Sequence, residues 1–455
     1  MPKLDILEPR KTSYQPLGLI PYNESTNSGN LAVLENIFWD QYKLSDRAFE
    51  DSLYLIYGDQ KTIQWIWTIK CHWQDSIQPY DSLKWALLVP ALFHLKMNLL
   101  YMISRYHFGS QDHDYSTLHY AMNFWGQKKI SKTKADFFTL EELIMHSFQA
   151  WIVALIWEWL RHTGLSRSVQ DIEALLQTLN PKTLYELIEK VRIQCSFTVN
   201  ADLKNLNDEE VRSHYLFLLH TQTYLLLKYA IKHADIGLIR RAIDHCSIYF
   251  HGSGQSKYAY EMLYFQHILL ASEPLLRWAI LSNSLVNLQG SSDSWFETDR
   301  LVEFHNGNLK LLFKAKRGST LDLGTLLNIY SLGLTYFKHL HDKIEQLFGV
   351  RSISTHPSKP AQTDITLMAQ QLLQSIVYSE GRTVKYPAID ALGKGASRLG
   401  GDVLAKFNAS ECFGNDDIEH PENKGFLEEE IEPNEEFSNF FCNMEQNWRW
   451  MTSWA

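Results

Sequence analysis

Two short apolar runs constrain this chain more than any other feature: Leu53–Tyr57, "LYLIY", and Trp85–Val89, "WALLV". Both are rich in aromatic and branched residues and both are closed by breakers, Gly58 with Asp59 after the first and Pro90 after the second. Between them lies "TIQWIWTIKCHW", Thr62–Trp73, which starts just after a turn and reads as a helix. A strand, a helix and a strand in succession form a β-α-β unit, whose two strands lie parallel because the helix carries the chain back across the sheet. No other stretch carries a comparable sheet signal.

Helical spacing dominates the rest. Leu31, Leu34, Ile37 and Phe38 share one face, and a helix-like segment runs from about Phe93 to Tyr106. From Leu95 to about Ile248 the pattern is almost wholly helical, clearest in "TLEELIMHSFQAWIVALIWEWLRH" and "EVRSHYLFLLHTQTYLLLKYAIKHA". Thr139 and Glu142 have the spacing of a capping box, as do Ser294 and Glu297. The fold class expected is mainly α-helical with a small α/β core. The expected organisation is a polar segment over 1–30 and a core over 31–350 with a helical insertion at about 100–248. A linker and C-terminal helical segment over 351–407 and an acidic, mobile tail over 408–455 complete it.

Charge and composition exclude several classes. The chain has 455 residues, 45% of them apolar and 13% aromatic, enough to bury a core. Its net charge of −9 is concentrated at one end: from Gly401 onward, 13 acidic residues face 3 basic ones, which leaves the remainder near neutral. Nucleic-acid binding would therefore need a local patch rather than a basic body. No stretch reaches the roughly 18 apolar residues that span a bilayer, and "MPKLDILEPRK" lacks a secretory apolar core. The five cysteines are scattered, without a C-x-x-C pair, so neither a disulfide framework nor a zinc knuckle is indicated. The expectation is an intracellular protein, the nucleus included, neither secreted nor membrane-bound.

The phrases "ESTNSGN", "LYLIYGDQKT", "LFHLKMN", "SKYAYEMLYF", "LVNLQGSSDSWFETDRLVEFHN" and "KRGSTLD" follow one another in this order. Together they resemble a fungal family defined by one large domain of unknown function, abundant in mushroom-forming fungi. The resemblance covers roughly Pro21 to Val350, or to Phe407 at its widest. That family's layout in turn resembles transposases with a ribonuclease-H-like core interrupted by a large helical insertion. The resemblance implies DNA as partner and Mg2+ or Mn2+ as cofactor, because phosphodiester chemistry of this kind uses two cations about 3.5–4 Å apart, held by oxygen ligands.

Under that resemblance Asp59, at the end of the first strand, is the first candidate catalytic and metal-binding carboxylate. Glu261, early in the helix "YAYEMLYF", is the last. A middle carboxylate is expected after the second strand, near "VPALFHLKMN", where the sequence offers His94 instead. Glu24 or Asp299 would complete the set only if the fold carried them there. Each residue also has a plainer reading. Asp59 beside Gly58 is a common turn pair, Glu261 suits a salt-bridged helix surface, and His94 suits a core position. Asp293, Glu297, Asp299 and Glu303 read as one acidic helix start, favoured by the helix dipole. Lys310, Lys314, Lys316 and Arg317 are the candidate nucleic-acid contacts, or else a solvated helix end. Three readings therefore stand: a metal-dependent nucleic-acid enzyme, active or decayed; a non-catalytic DNA-binding scaffold; and a helical protein-interaction domain.

Overall fold

The computed structural model describes residues 5–73, 75–109, 114–115, 117–127, 130, 136–162, 180, 209–315, 333, 336, 340, 343, 347, 361–377 and 389–398. Their elements in chain order are α1 (Asn27–Glu35), continued by a π-helix (Asn36–Gln41), α2 (Arg47–Glu50), β1 (Tyr54–Gly58), α3 (Gln60–Trp73), β2 (Ala86–Pro90) and α4 (Leu92–His107). Next come α5 (Leu118–Phe124), α6 (Phe137–His162), α7 (Glu209–Lys232), α8 (Ile236–Ser253), α9 (Ser256–Ala271) and α10 (Pro274–Asn283). The remainder are β3 (Leu285–Asn287), β4 (Trp295–Glu297), α11 (Thr298–Ala315), α12 (Gln362–Val377) and α13 (Ala391–Arg398). The protein is mainly helical with a small sheet content. Among the described residues no helix is long and apolar enough to cross a membrane.

The described residues form two compact units, one drawing on those within 5–95, 229–347 and 395–398, the other on those within 96–228 and 361–394. The first holds the β-α-β unit. β1 and β2 pair in parallel, in a register running from Tyr54 opposite Ala86 to Gly58 opposite Pro90. All five β2 residues are buried, as its unbroken apolar run requires. Pro90 is accommodated as the last strand residue, and the next amide, Ala91 N, donates to Gly58 O at 3.0 Å. Phe38, Phe49, Tyr54, Tyr80 and Trp85 pack edge-on and tilted beside the strands, with Phe38 and Trp85 centroids 4.8 Å apart.

Helix α9, packed on α8, lies against β2. Gly254 lies in the left-handed region (φ 72°), which ends α8 and lets α9 start two residues later. Tyr264 of α9 donates its hydroxyl to Leu88 O of β2 at 3.2 Å and meets Trp67 of α3 edge-on at 5.2 Å. The polar N-terminal segment is tied to the same unit: Leu7 N donates to Ala234 O, and Thr12 N to Asn287 O.

Two local readings are corrected. Ser294-x-x-Glu297 caps no helix: Trp295–Glu297 is strand β4, paired antiparallel with β3, and the helix starts at Thr298. Likewise α6 starts at Phe137, and Asp136 Oδ2 accepts from the amide and hydroxyl of Thr139, so Asp136 is the cap.

In the second unit α6 packs on α12. Glu141 of α6 takes an ion pair from Lys228 of α7 at 2.8 Å and a hydrogen bond from Tyr224. His107 of α4 and His220 of α7 share a hydrogen bond of 2.8 Å in the interior. Residues 408–455, read as an acidic tail, lie outside the described residues, as does the linker expected at 351–359.

Candidate functional site

The parallel pair delivers two chain reversals side by side, one after Gly58 and one after Pro90, and the candidate site is built at these strand ends. Ligands in open α/β sheets gather at the carboxyl ends of the strands. Asp59 follows β1 and precedes α3. Its Oδ1 accepts from Thr62 N at 2.8 Å, so it is the N-cap of α3. That bond occupies one carboxylate oxygen. Gly58 leaves little room behind it: an added methyl would stand 3.2 Å from the Thr62 side chain.

Glu261 reaches the same place from α9. It lies one turn before Tyr264, whose bond to Leu88 O fixes that helix face on β2. Its side chain is 91% buried, being 9% exposed, and among the described residues no group donates a hydrogen bond to it or pairs with it. Burial, and then the charge of Asp59, hold its carboxyl well above the usual carboxylate range. The two acids, far apart in sequence, therefore act on one another electrostatically in the fold. Glu261 also lines a small cleft between α3 and α9, with Gln60, Gln64, Lys257, Tyr260 and Tyr264. Lys257 and Glu261 are one turn apart on α9, which places an ammonium at the exposed rim and a carboxylate at the floor.

His94 opens α4 after β2. Its partner is Asp299, from the first turn of α11. Asp299 Oδ1 accepts from Phe93 N at 3.0 Å, while Oδ2 accepts from His94 N at 3.1 Å and meets His94 Nδ1 at 3.0 Å. The acid expected to favour its own helix start therefore caps a different helix, satisfying two amides at the start of α4. The hydrogen bond to Asp299 raises the His94 pKa, burial opposes the rise, and the charges of Asp299, Asp59 and Glu303 add to it. Three acids thus bear on one imidazole.

This geometry brings Asp59, Glu261, His94 and Asp299 to one end of the sheet. Among the described residues, no three histidine, cysteine or acidic side chains already stand in a closed ligand arrangement. A pair of carboxylates is nevertheless a sufficient protein contribution for a magnesium-class ion, which keeps several waters and completes its shell on substrate phosphates. Of the expected carboxylates, Asp59 and Glu261 are the pair whose charges act on one another. Glu24 is exposed, and its carbonyl accepts from Asn30 Nδ2 at 2.6 Å within its own turn. Lys310 and Lys314 fall in the last turns of α11 with side chains outside the described set, and Lys316 and Arg317 are likewise undescribed.

The sequence matches the "Family of unknown function (DUF6589)" over residues 1–356. The chain belongs to this family. Asp59, His94, Glu261 and Asp299 all fall inside the DUF6589 region, as does every element of the β-α-β unit. No curated protein and no solved structure matches the chain.

Sequence reasoning named Asp299 only as a residue that would complete the set if the fold carried it there, and otherwise read it as part of an acidic helix start. The signal was present but ambiguous: an acidic residue early in a helix satisfies a local rule, and only tertiary packing sends its carboxylate to α4.

Proposed function

We propose that this DUF6589 chain is a transposase-derived nucleic-acid-processing protein that uses a divalent cation, Mg2+ or Mn2+, held by Asp59 and Glu261 at the ends of a ribonuclease-H-like strand pair. The observation that carries the reading is Glu261: a residue only 9% exposed, without a hydrogen-bond partner among the described residues, whose carboxyl is held high by burial and by the charge of Asp59. A buried unpaired carboxylate costs several kcal/mol in real proteins, and a cation between the two acids would remove both the desolvation penalty and the repulsion. In this reading the ion stabilises the charge that develops on the phosphodiester oxygens, and Lys257 at the cleft rim meets the incoming backbone. The DNA partner and a nuclear site of action belong to the same proposal.

The test is manganese-dependent nicking of supercoiled DNA by wild type, Asp59→Asn and Glu261→Gln. Asparagine retains the cap on α3, and glutamine retains shape at the buried position, so folding is preserved. Nicking is expected to fall by more than about a hundredfold in each, the several kcal/mol carried by a metal ligand. Equal nicking by all three proteins would refute the role of the pair.

A second reading has its own support: Asp59 already caps α3, and the position after β2 carries an imidazole rather than a carboxylate. A non-catalytic DNA-binding or protein-interaction scaffold would retain those features. It would hold DNA equally with and without metal.

A further inference from the structure

We propose that the cleft between α3 and α9 is a binding site for a primary alkylammonium, held by Glu261 at its floor with Gln60 as a second acceptor. This goes beyond the reading of a divalent cation and does not rest on it, because the composition of the cleft itself carries it.

Three observations support the site. The first is an acid with nothing to hold. Glu261 is 9% exposed and lines the cleft, and among the described residues no group donates to it or pairs with it. Lys257, one turn away on α9, does not fill that role: it is exposed and makes no ion pair with Glu261. A buried acid without a partner is neutralised by a proton, and a ligand cation can take that proton's place. The second observation is the walls. Ile63, Tyr260 and Tyr264 make the cleft mainly apolar and aromatic, and Glu261 is the acid among its lining residues. One carboxylate set among aromatic and aliphatic surface suits an organic ammonium, whose charge is drawn to ring faces and whose alkyl chain lies along apolar walls. The third is acceptors and size. Gln60 Nε2 donates to Gln64 Oε1 at 3.2 Å, and Gln60 Oε1 has no donor among the described residues. Glu261 and Gln60 thus offer acceptors to an ammonium, which has three hydrogens to donate and no lone pair. The floor has room for a group about the size of one water molecule. An NH3+ head fits that space, and a trimethylammonium head does not.

Binding exchanges one positive charge for another. Burial, and then the charge of Asp59, let the Glu261 carboxyl keep its proton to higher pH than an exposed carboxyl does. The amine enters as RNH3+, the O–H proton of Glu261 leaves to solvent, and the product is a carboxylate paired with an ammonium. The titratable groups around the acid are Asp59 ahead of α3 and Lys257, Tyr260 and Tyr264 on α9. Affinity therefore rises with pH and falls only where the amine itself deprotonates, near the lysine value of about 10.4.

The experiment is calorimetric titration of the full chain with butylamine in metal-free buffer at pH 7 and pH 8. Butyltrimethylammonium and butanol keep the chain and change the head. The proteins are wild type, Glu261→Gln and Gln60→Leu. Wild type is expected to bind butylamine saturably, to release protons on binding, and to bind more tightly at pH 8; the other two probes should not bind. Glu261→Gln should weaken binding about 10- to 100-fold, the range for a hydrogen bond to a charged group, and remove its pH dependence. Gln60→Leu should weaken it about 3- to 10-fold, which keeps the test open if the first variant misfolds. Nα-acetyl-lysine methylamide stands for the lysine of a partner polypeptide and cadaverine for a free polyamine, and the tighter binder names the source. Equal affinity of all three proteins for butylamine, or equal binding of butyltrimethylammonium, would overturn the inference. Butylamine bound at Glu261 and not displaced by Mn2+ would uphold this site and count against the metal reading. Absence of butylamine binding from a wild type that binds Mn2+ would overturn this inference and leave the metal reading standing.

Discussion

Acid should loosen the second unit through one buried contact. His107 and His220 hydrogen-bond at 2.8 Å and are 3% and 0% exposed. Burial pushes the His220 pKa down to about 3 and, with the nearby His220 and His214, holds His107 well below the ordinary histidine value. His214, its ring tilted 40° against Trp151, is the other titratable group that bears on His107 among the described residues. The sign follows from proton counting. In the unfolded chain both rings take up protons near pH 6.5, while in the folded chain they stay neutral, so the unfolded state binds more protons as pH falls. Stability is fully present above pH 6.5 and is lost progressively toward the folded values. At pH 5 each ring has lost about 2 kcal/mol, at 1.36 kcal/mol per unit, or about 4 kcal/mol for the pair. Replacing both by leucine removes the titration together with both members of that hydrogen bond. The assay is hydrogen exchange of the α7 amides between pH 7 and pH 5, corrected for intrinsic exchange, because a local probe reports this unit directly. Protection should fall by about 4 kcal/mol more in wild type than in His107→Leu/His220→Leu. Equal losses in the two proteins would refute the argument.

Two further outcomes are expected in the first unit. Lys70 is buried, its pKa lowered by burial to about 8, and its ammonium donates to Ala86 O at 2.7 Å; raising pH from 7 to 9.5 should stabilise wild type by about 2 kcal/mol relative to Lys70→Met, and urea midpoints of the two proteins at both pH values check it. The sign is that of a base whose folded pKa is depressed: stability is full above the ordinary lysine value and falls as pH drops toward 8. Gly395 packs against α8 so closely that an added methyl would fall on the Ile248 carbonyl oxygen; Gly395→Ala should therefore destabilise by about 1–3 kcal/mol, the cost of overpacking, read as a lowered thermal midpoint.

The β-α-β unit was legible because its signals are local: two apolar runs, a helix between them and a breaker at each end. β3 and β4 were not, since three-residue strands are too short to show alternation, and Ser294 to Glu297 imitates a capping box. Glu297, expected at a polar helix start, is fully buried in β4. The site divides in the same way. Asp59 could be named from its place after a strand, and its turn role and its proximity to Glu261 coexist in one side chain. Glu261 looked equally suited to a helix surface, because the bond that turns its face inward, Tyr264 to Leu88, joins residues 176 apart. Asp299 obeys a helix-start rule in sequence and serves another helix in space.

That long-range cap has a consequence during synthesis. Asp299 lies 206 residues after the Phe93 amide it accepts from. At 5–20 residues per second, a ribosome takes about 10–40 s to cover that distance. Throughout that interval β1, α3 and β2 can pair from nearby sequence, while α4 has neither its cap nor the carboxylate that orients His94. Assembly of the candidate site therefore waits for α11, and a nascent chain cut short before α11 carries Asp59 and Glu261 without the carboxylate that caps α4.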